Sequence, residues 1–182
     1  MNICVFCSAS DVDKKYTDDA RTFATLLANA GHTLVWGGTN KGTMKVIADA
    51  AQDAGGRVVG ATFELLKANV RPNADEMYVL PTLGERKAKL LELSDAIVVL
   101  PGGIGTLDEV TEVLELKKHS LHNKAIVFLN TDGFYNGFKQ QLERMDREGF
   151  LPRALEEYLY FADTPQKAME HLEQYAHTGA LK

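Results

Sequence analysis

Short apolar runs alternate with helical patterns along almost the whole chain. An apolar, β-branched run predicts a buried strand, and apolar residues three or four positions apart predict a helix. Seven strands are predicted, at residues 3–7, 33–36, 57–61, 77–80, 96–100, 124–129 and 158–161. Helices are predicted at residues 16–30, 42–54, 63–68, 83–93, from the glycine turn after residue 100 to residue 118, 134–148 and 165–175. This alternation indicates an α/β fold, in which a mostly parallel sheet carries helices on both faces.

A glycine turn with the sequence PGGIGTLDE occupies residues 101–109, between a predicted strand and a predicted helix. Glycines let backbone N–H groups approach a ligand, and a helix start presents unpaired N–H donors and a partial positive charge. Such a turn binds anions, most often phosphate. The candidate phosphate-binding residues are Gly102, Gly103, Ile104, Gly105 and Thr106.

Glu109 lies one helical turn beyond this candidate phosphate site. A carboxylate beside a bound anion does not help binding, but it can take part in a reaction. The alternative is a tight turn between strand and helix, followed by a glutamate on the surface.

Other predicted strands also end in glycine, hydroxyl or acidic residues. Ligands of open α/β sheets bind at the carboxyl ends of the strands, so we expect these residues near the glycine turn. Together they suit a phosphorylated small molecule such as a nucleotide. The loop after the second strand matches neither GxGxxG nor a P-loop, and a plain tight turn is its alternative interpretation. These ends supply the further candidates Ser8, Gly37, Gly38, Thr39 and Glu64.

Arg86 and Lys87 stand at the start of the helix that precedes the glycine-turn strand. Charged residues on a helix usually form a solvated face. However, the helix dipole disfavours a cation near the N-terminus. A guanidinium there can instead bind a phosphate or orient a carboxylate through two hydrogen bonds.

Composition restricts the classes of function. The 182 residues are of ordinary size for one domain, so we expect a single nucleotide-binding domain over residues 1–182. A net charge of −5 argues against nonspecific nucleic-acid binding. The sequence shows no apolar span of membrane-crossing length and no signal-peptide pattern at its start. We therefore expect a cytoplasmic protein with a small-molecule partner, and neither nucleic acid nor a membrane.

The cysteines and histidines do not suggest a metal site. Cys4 and Cys7 belong to the first predicted strand, where residues three apart point to opposite faces. They are therefore poorly placed to share a metal ion or to form a disulfide. The histidines are scattered over helix ends, loops and the tail, at His32, His119, His122, His171 and His177.

Several segments together resemble one known family. The pattern PGGxGTxxE is present in full at residues 101–109, and the pair RK stands at Arg86 and Lys87. Further matches are CVFC at residues 4–7, ADAA at 48–51 with GG at 55–56, and LHNK at 121–124. Over residues 1–150 the chain resembles the LOG ("lonely guy") family of cytokinin riboside 5′-monophosphate phosphoribohydrolases, many of which carry the name possible lysine decarboxylase.

The resemblance implies a Rossmann-like, doubly wound fold and a homodimer or an assembly of dimers. It also implies hydrolysis of the N-glycosidic bond of AMP or of cytokinin riboside monophosphates. By the same resemblance, Arg86 and Glu109 are the catalytic pair, and Glu64 is a further acidic site residue. The chain departs from the usual family pattern at residues 7–10, where it has CSAS and the family usually has CGSS, and also at Thr39, Thr43, Lys45 and Gly84.

The residues are compatible with this reaction. Cleavage of a ribosyl–base bond passes through an oxocarbenium-like transition state, which a nearby carboxylate stabilises. Arg86 can orient Glu109 and keep its pKa low. No metal or organic cofactor is needed. We expect both side chains in a cleft at the strand ends, not in the core, and therefore dispensable for folding.

Two other classes of function fit the same fold. One is a non-catalytic carrier of a nucleotide or pterin phosphate, resembling molybdenum cofactor carriers, and the altered loop from Thr39 to Lys45 supports it. The other is an enzyme that acts on a sugar phosphate or a nucleotide but is not a hydrolase, such as a phosphotransferase. The lack of a Walker lysine motif and of an acidic metal cluster argues against it.

Overall fold

A seven-stranded parallel sheet forms the centre of the fold. The structure is a computed structural model that describes residues 1–177. Within these residues all neighbouring strands are parallel, in the order β4-β3-β2-β1-β5-β6-β7. The predicted parallel α/β sheet is thereby confirmed. The strands are β1 Asn2–Phe6, β2 Thr33–Trp36, β3 Val58–Phe63, β4 Glu76–Leu80, β5 Ala96–Val99, β6 Ala125–Leu129 and β7 Tyr160–Ala162.

Helices cover both faces of the sheet. One core lies beneath α1, α2 and α6 and includes Phe23 and Leu172, and the other lies beneath α3, α4 and α5 and includes Leu90 and Val110. The fold is therefore doubly wound. The α-helices of the described part are α1 Lys14–Asn29, α2 Gly42–Asp53, α3 Leu83–Leu93, α4 Ile104–Lys118, α5 Asn136–Arg147 and α6 Pro165–His177. Short 3-10 helices lie at Glu64–Asn69, Thr131–Gly133 and Leu155–Glu157.

The two cysteines belong to different cores. Cys4 packs among the residues beneath α3, α4 and α5, whereas Cys7 packs on the opposite face of the sheet. Both are buried free thiols. The prediction that they point to opposite faces is confirmed.

The last strand differs from its predicted range of residues 158–161. Tyr158 has helical backbone angles, with φ −88° and ψ −45°, because it closes the 3-10 helix Leu155–Glu157. Tyr158 and Leu159 are buried in the core beneath α5, and β7 begins only at Tyr160. The apolar run indicated burial correctly, but part of that burial occurs outside the sheet.

A crevice is expected where β1 and β5 lie side by side. The chain leaves β1 toward β2 on one side of the sheet and leaves β5 toward β6 on the other. Such a reversal of direction opens a ligand-binding crevice at the carboxyl ends of the strands. The glycine turn follows β5, and Ser8 follows β1, so both stand at this edge.

Candidate functional site

The glycine turn leads directly into the first turn of α4. Gly103 is the N-cap residue, and no side chain caps the helix there. A Cβ on Gly102 would collide with the buried side chain of Thr106, so only glycine allows this close approach. The turn is held from behind by Tyr135, whose hydroxyl donates to the carbonyl of Leu100 at 2.7 Å. The uncapped backbone N–H groups at the start of α4 suit an anion.

Arg86 and Glu109 form a buried ion pair beside this turn. Nη1 of Arg86 donates to Oε1 of Glu109 at 2.7 Å, and its Nε donates to the carbonyl of Ala61 at 3.0 Å. Arg86 is 6% exposed and Glu109 5%. The expectation that both lie outside the core is therefore wrong. Arg86 reaches from α3 to the carbonyl of Ala61 in β3 and to Glu109 on α4, so the two side chains are enclosed between these three elements.

The start of α3 is fixed by a capping box. The backbone N–H of Glu85 donates to Oγ1 of Thr82 at 3.2 Å, and the N–H of Thr82 donates to Oε2 of Glu85 at 3.1 Å. This arrangement satisfies two donors of the first turn at once. Arg86 follows immediately, so the capping box sets where its side chain begins.

The loop after β2, residues 37–40 (the β2 loop), lies against the guanidinium of Arg86 at its first residue, Gly37. A Cβ on Gly37 would collide with Nη2 of Arg86. The absence of a side chain therefore lets the backbone at the end of β2 contact the guanidinium directly. Arg86 consequently touches the ends of β2 and β3 as well as α4.

Burial dominates the electrostatics of Glu109. Loss of solvent raises the pKa of its carboxyl above the ordinary value of 4.5, although the charge and the hydrogen bond of Arg86 act in the opposite direction. The expectation that Arg86 keeps this pKa low is therefore wrong: Arg86 lowers the pKa, but desolvation of the enclosed carboxyl raises it by more. Glu109 also borders a cavity of about 470 Å³ between α3 and α4.

Lys87 points to carboxylates of α4. Its Nζ lies 3.0 Å from Oδ2 of Asp108 and also pairs with Glu112. These bonds, that to Glu112 most strongly, raise the pKa of Lys87. The side chain therefore joins α3 to α4 beside the buried pair.

The other predicted site residues differ in their burial and in their hydrogen bonds. Oγ of Ser8 accepts a hydrogen bond from the N–H of Ser10 at 3.0 Å. Thr39 is buried, whereas Ile104 is 87% exposed at the start of α4. Glu64 is exposed and accepts a hydrogen bond from Lys67 at 2.5 Å. The structure thus brings Arg86, Glu109, Gly37 and the glycine turn together, and it places Lys87 and Glu64 in ion pairs.

Sequence reasoning missed two contributors. The Thr82–Glu85 capping box follows the spacing T-x-x-E, so it was detectable. The buried Arg71, which contacts the β2 loop, stands in a polar segment without any pattern that marks it. Among residues 1–177, no three His, Cys, Asp or Glu side chains are grouped to hold a metal ion. No helix in that part of the chain has the length and apolar character needed to cross a membrane.

Comparison of the sequence with known proteins identifies relatives over nearly the whole chain. A family model described as "Possible lysine decarboxylase" matches residues 44–172. A cytokinin riboside 5′-monophosphate phosphoribohydrolase of Arabidopsis thaliana is 33% identical over 177 residues, which cover 96% of this chain and 82% of that protein. A protein of Oryza sativa subsp. japonica, named as a probable enzyme of the same kind, is 34% identical over 175 residues, covering 94% and 83%.

Comparison with solved structures shows the fold. The molybdenum cofactor carrier protein of Chlamydomonas reinhardtii superimposes with a TM-score of 0.74 over 96% of this chain and 97% of that chain. The sequence identity is 21%, so the likeness shows a shared Rossmann-like fold and nothing further.

Proposed function

This chain belongs to the LOG family of cytokinin riboside 5′-monophosphate phosphoribohydrolases, and we propose that it hydrolyses the N-glycosidic bond of a nucleoside 5′-monophosphate. The products are the free base and ribose 5-phosphate. The observation that carries the proposal is the buried Arg86–Glu109 pair beside an uncapped helix start. The relatives support the proposal, and the proposed substrates are AMP and cytokinin riboside monophosphates.

In the proposed mechanism the 5′-phosphate binds to the backbone N–H groups of residues 103–106. Binding energy from this remote group fixes the ribose relative to Glu109. As the bond to the base breaks, positive charge develops on the ribose ring, and the carboxylate stabilises it and activates water. Arg86 holds the carboxylate in one orientation through the 2.7 Å hydrogen bond.

The direct test is incubation of the protein with a panel of purine and pyrimidine nucleoside monophosphates, followed by detection of free base. Release of adenine from AMP, with ribose 5-phosphate formed in equal amount, is the expected result. If no monophosphate yields free base, the hydrolase proposal is wrong.

A phosphate-ligand carrier is the second candidate function. The fold shared with the molybdenum cofactor carrier of Chlamydomonas reinhardtii favours it. The buried ion pair argues against it, because desolvation of two charges costs free energy that phosphate binding does not require. Tight binding of a monophosphate without base release would favour the carrier.

The pH dependence of base release tests the state of Glu109. The reaction needs an ionised carboxylate, and burial raises the pKa of Glu109 above 4.5. Activity should therefore fall with decreasing pH at a midpoint above the ordinary glutamate value. The measurement is kcat/KM for AMP between about pH 4 and pH 8. A midpoint at or below 4.5 would contradict this account of the buried carboxyl.

The contact between Gly37 and Arg86 predicts the effect of Gly37→Ala. The new Cβ would displace the guanidinium, because a flexible side chain yields more easily than backbone. We expect base release to fall by about tenfold or more. Gly84→Ala is the matched control, since nothing lies within 4 Å of its Cβ position. Equal activity of the two variants would show that the contact at Gly37 has no role.

We further infer that the protein is a homodimer with its site near the interface. Leu83, Ile104 and Leu121, at the starts of α3 and α4 and just beyond α4, are large apolar side chains exposed to solvent. A second copy would cover them. Light scattering at micromolar concentration should give twice the mass of one chain, and Leu121→Glu should shift the protein toward the monomer. A wild-type monomer would exclude this assembly.

We also propose a cytoplasmic location.

A further inference from the structure

Arg71 is buried in the connection between the 3-10 helix Glu64–Asn69 and β4, where it is 7% exposed. Its Nε and Nη2 donate to Oε1 of Gln52 at 2.8 and 2.6 Å. Its Nη1 donates to Oδ1 of Asp49 at 2.6 Å and to Oδ1 of Asn40 at 3.2 Å. A guanidinium with these acceptors fixes the connection against α2 and the β2 loop at once.

Asp49, one of the two residues of α2 that accept from Arg71, is ionised under ordinary conditions. Burial raises the pKa of Asp49, but hydrogen bonds from Lys45 and Arg71 outweigh that effect and leave the pKa below its usual value. The bond to Arg71 is therefore a charge-assisted one between a buried guanidinium and a carboxylate.

The same connection is bonded to the β2 loop along the backbone. The N–H of Arg71 donates to the carbonyl of Gly38 at 2.9 Å, and the N–H of Asn40 donates to the carbonyl of Asn69 at 2.8 Å. Between these bonds the two segments form an isolated antiparallel bridge, at Thr39 and Val70. The β2 loop is thus paired with a segment whose own position depends on Arg71.

The β2 loop contacts the catalytic pair at its first residue. The backbone at Gly37 lies against Nη2 of Arg86, and Nη1 of Arg86 donates to Glu109. Contacts therefore run without a gap from Arg71 through the β2 loop to the guanidinium of Arg86.

We propose that Arg71 is a positioning residue, which clamps the β2 loop and thereby holds one wall of the nucleotide site against Arg86. The inference rests on the proposed hydrolase function. Arg71 itself does not touch the ion pair. Its effect on the reaction passes through the placement of the loop, so its loss should impair substrate binding more than the chemical step.

Arg71→Met removes the guanidinium and keeps much of the apolar stem. We expect KM for AMP to rise by about tenfold or more, since small displacements of a positioning element are costly, while kcat falls by a smaller factor. Arg71→Lys keeps the charge but not the fork of donors, so it should recover only part of the loss. Gln52→Ala removes one acceptor of Arg71 and leaves the ion pair between Arg71 and Asp49. It should also raise KM for AMP, and it tests the proposal if Arg71→Met does not fold.

Arg57→Met is the matched control. Arg57 is also an arginine paired with a carboxylate, Glu76, but it lies at the amino ends of β3 and β4, away from the β2 loop. Its KM for AMP should stay within about twofold of the wild-type value. If Arg71→Met and Arg57→Met change KM equally, Arg71 has only a structural role and the proposal is wrong.

Amide hydrogen exchange at Asn40 gives a readout that needs no activity. Its N–H is bonded to the carbonyl of Asn69, so loosening of the clamp should speed its exchange by about tenfold in Arg71→Met, and not in Arg57→Met. Unchanged exchange overturns the proposal whatever the activity. If the wild type releases no base, the hydrolase function fails. In that case the exchange rate of the Asn40 amide and the calorimetric Kd for AMP still decide whether Arg71 positions the β2 loop.

Discussion

Glu109→Gln is expected to lower kcat for base release from AMP by about 10²- to 10³-fold, the scale seen when one group that stabilises transition-state charge is lost. Glutamine keeps the oxygen that accepts from Arg86, and it keeps the volume of the buried side chain. It removes the negative charge that, in the proposed mechanism, faces the developing oxocarbenium ion. The glycine turn is untouched, so KM and the calorimetric Kd for AMP should change by less than about threefold.

Glu112→Gln is the matched control for this variant. Glu112 lies one helical turn further along α4 and pairs with Lys87 at the surface. Its substitution should leave kcat within about twofold of the wild-type value. If Glu109→Gln remained fully active in a protein that releases base, the catalytic carboxylate would have to be sought at Glu112 or Glu64.

The positions of the strands and the glycine turn were predictable because they depend on local patterns. β5 and α4 show this clearly. A buried strand between two helical layers has to be apolar along its length, and a tight turn into a helix N-terminus has to contain glycine. Both requirements are visible in neighbouring residues, so the sequence alone predicts a candidate phosphate site within residues 101–109.

The partners of the charged side chains were not predictable in the same way. Lys87 bonds to Asp108 and Glu112 on another helix, and this choice depends on how α3 and α4 are placed relative to each other in the fold. Arg71 is buried by contacts with residues 19 to 31 positions away in the chain. Tyr158 shows the same limit for apolar residues, because its hydrophobicity indicates burial but not which element covers it.

Because the ion pair is buried, Arg86 is expected to contribute to the stability of the fold as well as to the reaction. Arg86→Met should lower the free energy of unfolding by about 3–5 kcal/mol, because the carboxylate of Glu109 is then buried without its partner. The variant should also lose base release, since nothing orients the carboxylate. Urea denaturation measures the first effect, and release of adenine from AMP measures the second.

The double variant Arg86→Met/Glu109→Leu separates stability from catalysis. It removes both buried charges, and apolar side chains in place of a buried ion pair are often neutral or stabilising, so its stability should return to within about 1 kcal/mol of the wild type. Its activity should stay as low as that of Arg86→Met.

The single variant Arg86→Met should also be more stable in acid than at neutral pH. Removal of Arg86 raises the pKa of Glu109 further, and stability is then lost as the pH rises through that raised value. An Arg86→Met protein as stable as the wild type at neutral pH would show that Glu109 is not held there as a buried anion.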